Sequence, residues 1–224
     1  VFLIQKGCNY IMEHINFSFI ILTFSSLFAL INPIGITPIL LSMTEDHNDI
    51  EYKVIVKKGI LTAYIILTIF TLMGDLIFKF YGITIYAFMI AGGILFLRNS
   101  FDMIDSKVSR ESSTPLETKE AIKKEDISIT PIGIPLIAGP GAITSVMLLS
   151  SQTNTFIDKC IVHINIIITL LLTYIILLLG KKISKRIGTT GIRIIQRIMG
   201  LILLVISIQF IINGMLLLIK NQLN

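Results

Sequence analysis

Long apolar runs broken by short polar stretches dominate the chain. Runs free of Asp, Glu, Lys and Arg cover 15–44, 59–74, 80–97, 127–157, 160–180 and 198–219. About 20 apolar residues in a helix cross the ~30 Å hydrocarbon core of a bilayer, so the pattern predicts six membrane-spanning helices. The second and third runs are short, but Lys57 and Lys58 before the second and Arg98 after the third can snorkel their charges to the interface.

Composition agrees with the pattern. Of 224 residues, 54% are hydrophobic and 15% charged, and mean hydropathy is +0.85. A soluble domain carries about 25% charged residues, so the chain belongs in a membrane and leaves no room for a large soluble domain. The net charge of +5 is read as cytoplasmic loops, not as a nucleic-acid surface. Of the 19 Lys and Arg residues, 15 fall in the first-second, third-fourth and fifth-sixth connections. The positive-inside rule then puts these connections in the cytoplasm and both termini outside, in a multi-pass protein of the cell (inner) membrane. Residues 104–126, with Ser112, Ser113, Thr114 and Pro115, read as a solvated linker. The segment before residue 15 lacks a signal-peptide pattern, and the chain starts at Val1 or at Met12. Cys8 and Cys160 form no metal or redox motif.

The two halves resemble each other. Leu30–Gly35 aligns with Leu136–Gly141 at an offset of 106, Ala63–Leu67 with Thr173–Leu177 at 110, and Gly93–Leu95 with Gly200–Ile202 at 107. Matches in one order at nearly one spacing imply two copies of a three-helix unit, at 15–103 and 127–220, on either side of the linker. Three spans are an odd number, so the second copy enters from the opposite side. The expected fold is all-α, with two inverted three-helix repeats of the kind found in secondary transporters.

Five of the six prolines lie in the first and fourth runs: Pro33, Pro38, Pro131, Pro135 and Pro140. Proline removes a backbone donor and clashes with the preceding turn, so both helices should break near the bilayer middle, with Pro33, Pro38 and Pro140 as the breaking residues. Each break exposes unpaired N–H groups near Gly35–Thr37 or Gly141–Thr144, favourable to a carboxylate. Helix-end carbonyls near Ala29–Ile31 and Pro135–Ile137 suit an ammonium group or Na⁺, although Na⁺ coupling is not established. Gly35, Ala138, Gly139 and Gly141 allow close backbone approach, while Asn32, Thr37 and Thr144 offer side-chain hydrogen bonds. A small zwitterion fits both poles.

Charged residues are expected only toward span ends, with Arg98 and Asp102 as an i, i+4 pair and Asp75 capping a helix. Ala87, Ala91, Gly92 and Gly93 read as a packing stripe. Gln209 and Asn213 either line a cavity or bond a neighbouring helix. No phosphate loop, H-E-x-x-H or G-x-G-D motif occurs, so neither an enzyme, a metal nor a resident cofactor is expected.

Asn32-Pro33-Ile34-Gly35 with Pro38, Ala91-Gly92-Gly93, the run Ile134–Thr144, and Arg197–Leu201 with Gln209 and Gly214 resemble the MarC family of integral membrane proteins. A branch of that family transports small neutral amino acids with six helices, the first and fourth discontinuous. The resemblance implies a site at Asn32–Thr37 and Ala138–Thr144, with Ile36 standing where many members carry a polar residue. The combined reading is a small neutral amino acid transporter working by alternating access. A drug or metabolite exporter and a non-transporting scaffold are the alternatives, with direction, coupling ion and oligomeric state open.

Overall fold

The computed structural model describes residues 17–105, 128–153 and 156–222, and every regular element among them is helical. Most of the 104–126 linker, the segment containing Met12 and Cys8, and Asn224 lie outside the described residues. Helices α1 (Phe17–Ile31) and α2 (Pro33–Met43) make a span of 27 residues, followed by α3 (Asp49–Tyr81) and α4 (Ile85–Ile104). A wide-turned stretch, Ser128–Ile137, is bent by 58° against α5 (Pro140–Ser151); α6 (Phe156–Leu178) and α7 (Gly180–Gln222) follow. Five helices are long and apolar enough to cross a bilayer, or six spans if the bent pair counts as one.

Helix ends carry their own chemistry. Asn48 caps α3 in a reciprocal box, accepting from the Glu51 amide at 2.9 Å while Asn48 N–H donates to Glu51 Oε2 at 2.9 Å. The helix ends at Gly82, whose φ of 64° suits a residue without Cβ. Helix α3 thus passes through Asp75 instead of ending there, and spans 33 residues where the charge-free run has 16. The difference has a simple cause: Lys53, Lys57, Lys58 and Lys79 are exposed, so their stems stay on the helix while the charges reach water. For the same reason α7 begins well before 198, with Lys181, Lys182, Lys185, Arg186, Arg193 and Arg197 all exposed. Arg98 and Asp102 form no ion pair with each other; Arg98 is exposed, where a pair gains little.

The bundle is apolar outside and hydroxyl-bearing inside. Leu61, Ile65, Ile69 and Leu72 of α3 are exposed at helical spacing, as are Leu201, Val205, Ile208 and Ile212 of α7, while Thr23, Ser26, Thr37, Ser145 and Thr169 are wholly buried. Lipid gains nothing from apolar contact between helices, so close backbone approach through small residues must hold the bundle. Glycine supplies it. A Cβ on Gly93 would lie 2.9 Å from the Ser207 carbonyl oxygen, one on Gly200 3.0 Å from the Ile104 nitrogen, and one on Gly214 3.0 Å from the Tyr86 carbonyl oxygen. Helices α4 and α7 therefore run antiparallel in near-backbone contact, with Phe96 against Phe210 edge-on at 5.7 Å. Gln209 donates to Asn213 at 2.8 Å within α7, on its exposed side.

Two further joints fix the depth of the spans. Gly59 sits against the Ser128 carbonyl oxygen and Gly133 against Thr62, which seats α3 along the Ser128–Ile137 stretch. The Tyr52 hydroxyl donates to the Leu177 carbonyl at 2.6 Å and Lys181 pairs with Asp49 at 2.6 Å, joining the start of α3 to the α6–α7 junction.

Replacing Gly93 with Leu drives a side chain into the Ser207 carbonyl. Overpacking of this kind costs about 1–3 kcal/mol, read as a lower unfolding midpoint in detergent. An unchanged midpoint would show that α4 and α7 are not packed through Gly93.

Candidate functional site

The two proline-bearing spans interrupt themselves in different ways. Asn32 adopts left-handed backbone geometry (φ 47°, ψ 60°), and its Oδ1 accepts from the Gly35 amide at 3.2 Å, so one residue both stops α1 and caps α2. Pro33 follows at the first helical position, where its missing N–H costs nothing. Across the bundle, Gly139 is extended (φ −77°, ψ 167°) and Pro140 opens α5 with no side-chain cap. Ahead of it the chain leaves helical geometry at Thr130 and Ile134, and the Thr130–Pro131 and Ile134–Pro135 bonds are cis. Gly139 is tightly placed: a Cβ there would come 2.8 Å from the Pro135 carbonyl oxygen.

Both interruptions open onto one cavity of about 500 Å³. Asn32, Gly35, Pro38, Gly139 and Gly141 line it, along with Leu30, Ile31, Pro135 and Leu136 from the chain around the breaks. Its remaining wall comes from elsewhere: Asn99 and Met103 on α4, and Ser184, Thr189, Ile192, Arg193 and Gln196 on α7. The cavity therefore reaches from the breaks to the end of the bundle that carries Ser42, Met43 and the basic start of α7.

Contacts at its floor are close. A Cβ on Gly141 would meet Asn99 Nδ2 at 2.9 Å and Leu30 Cδ2 at 3.0 Å, and one on Gly35 would overlap Asn32 and Gln196. Gly141 and Ala142 belong to the first turn of α5, whose amides have no carbonyl of their own helix to bond. On the opposite side, Pro33 brings no N–H to the Ala29 carbonyl and Gly35 donates to Asn32. Carbonyls at the end of α1 thus lose their usual helical donors.

Not every candidate residue reaches this space. The Thr37 hydroxyl donates to the Pro33 carbonyl at 2.9 Å and its methyl packs at Gly180, in the bundle interior. Ala138 is buried and does not line the cavity. Thr144 faces Gly92, its methyl 3.0 Å from a Cβ placed there, so it packs α5 onto α4. Pro33 and Pro140 act through the backbone, each at the first position of a helix, whereas Pro38, expected to break the span, lies inside α2, which continues to Met43 with one backbone donor fewer.

Asn99, Ser184, Thr189, Arg193 and Gln196 are lining residues that the charge-free runs exclude. A signal for the α7 group exists in the sequence. Gly188 is left-handed (φ 66°, ψ 174°) and divides α7, and after it Thr189, Ile192, Arg193 and Gln196 recur at i, i+3, i+4 and i+7, one helical face.

Comparison with known proteins gives one answer over most of the chain. The model of the MarC family integral membrane proteins matches residues 17–219. An UPF0056 membrane protein of Methanocaldococcus jannaschii is 40% identical over 200 residues, covering 88% of this chain and 95% of its own. The UPF0056 membrane protein YvbG of Bacillus subtilis is 40% identical over 89% of this chain and 95% of its own, and a Pyrococcus horikoshii relative is 42% identical over 85% and 91%. No solved structure matches. A chain matched from Phe17 to Ile219, with several membrane-spanning helices, belongs to the MarC family of integral membrane proteins.

Proposed function

We propose that this protein transports small neutral amino acids across the cell membrane, binding them at the floor of the cavity and exposing that site to the two sides in turn. The observation that carries the reading is the convergence of both helix interruptions on one cavity. First-turn amides of α5 at Gly141 and Ala142 supply a positive pole for a carboxylate. Carbonyls at the end of α1, with Asn32 Oδ1 beside them, supply acceptors for an ammonium group. Arg193 at the rim favours the approach of a carboxylate and opposes a cation. The solute is thus a zwitterion with a small side chain, and no resident cofactor is needed.

Two inverted repeats account for the arrangement. The breaks before Pro33 and Pro140 occupy matching places in the two halves, and Gly93 and Gly200, also matching, both sit in the α4–α7 contact. In this reading the basic connections face the cytoplasm, the cavity opens there, and both termini lie outside. Labelling of Ser112→Cys by an impermeant thiol reagent should occur only from the cytoplasmic side, and labelling from outside intact cells would remove the inverted arrangement.

The direct experiment is flux of glycine or alanine into proteoliposomes, with competition by glycinamide and acetate. Each lacks one pole of the zwitterion and leaves a buried group unsatisfied, at about 1–3 kcal/mol, so each should compete roughly five- to a hundredfold less well than alanine. Equal competition by glycinamide, or flux of a cationic dye with none of glycine, would favour drug export instead.

Gly141→Val fills the space between Leu30 and Asn99 and should weaken glycine binding by at least tenfold, measured as loss of the glycine-induced shift in unfolding midpoint. Thr144→Ala, outside the cavity, should leave that shift in place. The reverse ranking would move the site away from the α5 start.

A further inference from the structure

Buried hydroxyls find their partners in different ways, Ser150 on α5 by donating to the Thr71 carbonyl of α3 at 2.9 Å. Thr37, Thr44, Thr71, Ser100, Thr173 and Ser207 are buried and donate to carbonyls of their own helix, the usual resolution for Ser and Thr in an apolar setting. Thr23, Ser26, Ser145 and Thr169 are equally buried, each with zero exposure, yet their hydroxyl oxygens, like that of half-buried Thr68 on α3, have no hydrogen-bond partner in the protein. They forgo the local carbonyl although their helices offer one.

Helix register places these hydroxyls together. Leu30 and Gly141 touch at the cavity floor. Going away from the cavity, α1 numbers fall and α5 numbers rise, so Ser26 and Ser145 each lie four residues beyond that contact, about 6 Å along and on the same helix faces. The third helix, α6, carries Thr169 and packs against both α1 and α5. Ser26 and Ser145 therefore lie a turn past the cavity floor on α1 and α5, and Thr169 is buried on the helix that packs against both. Thr23 lies on the face of Ser26 a turn further out.

We infer that these hydroxyls line the second half of the solute path, shut in this conformation, with Ser26, Ser145 and Thr169 as its constriction. This rests on the transport reading and extends it: the cavity is the half of the path that stands open, and the hydroxyl stripe is the half that opens in exchange. While the path is closed, no protein group offsets the desolvation cost of these hydroxyls. When α1, α5 and α6 part, water and the polar groups of the solute relieve it, which lowers the cost of opening. Neutral hydroxyls also suit a solute with no net charge, which needs polar contact in passage without a counter-ion.

The test uses single cysteines in the full chain with Cys8 and Cys160 changed to Ser, reconstituted in vesicles and probed with an impermeant methanethiosulfonate. Ser42→Cys, at the cavity mouth, defines the open face. Ser26→Cys and Ser145→Cys should be modified only from the opposite face, at rates that glycine changes at least threefold, while Ser207→Cys stays unreactive from both. Modification from the Ser42 face, or none at all, overturns the proposal. Modification from the opposite face with rates indifferent to glycine and no glycine flux would uphold the path and overturn the amino acid reading. A second measurement does not depend on cysteine: Ser26→Ala/Ser145→Ala/Thr169→Val removes the unpartnered hydroxyls from the closed state. It should raise the unfolding midpoint by roughly 2–4 °C or more and lower flux at least tenfold. Unchanged flux, or a lower midpoint, would make these residues ordinary packing and refute the gate.

Discussion

A backbone amide or carbonyl in hydrocarbon has no water to turn to, and the architecture answers to that constraint. Pro33 and Pro140 interrupt two spans and so release backbone groups that an unbroken helix would satisfy. Such groups are tolerable only where protein surrounds them. The α4–α7 pair, drawn tight by Gly93, Gly200 and Gly214, and α6, held to α3 by the Tyr52 hydroxyl, form that surround. The cavity follows from enclosing two interruptions that do not fill the space between them.

The interruptions differ in kind, and this gives the site its polarity. Asn32 closes its own break, since its side chain caps the next helix and its left-handed backbone turns the chain within one residue. Gly139 brings no side chain, so the start of α5 keeps its first-turn amides available. Acceptors gather at one break and donors at the other. Beyond the floor, Thr23, Ser26, Ser145 and Thr169 are wholly buried among the helices.

Much of this was legible along the chain because it depends on local chemistry. Pro33, Pro140 and the glycines beside them name the breaks, and five of the residues singled out there, Asn32, Gly35, Pro38, Gly139 and Gly141, line the cavity. Thr37 and Thr144 were adjacent in sequence but face elsewhere, since a helix rotates each successive side chain by about 100° and neighbours of a break do not share its face. The opposite wall was hidden for another reason. Arg193 and Gln196 lie in a basic stretch that charge counting assigns to a loop, although exposed Lys and Arg side chains leave the helix free to begin much earlier. Asn99 enters the wall through α4 packing, which no local pattern reports.

The glycine contacts between α4 and α7 also bear on how the molecule is made. Gly93 meets Ser207, and Gly200 meets Ile104, so the face of the third span is completed only by the last one. A chain emerging from its N-terminus places α4 in the bilayer while its partner is still unsynthesised. The near-backbone groove along Gly93 then waits, lined by lipid, through the linker, the bent span and α6. Assembly of this bundle is therefore a closing step late in synthesis, and a chain cut short before α7 lacks the packing that gives α4 its place.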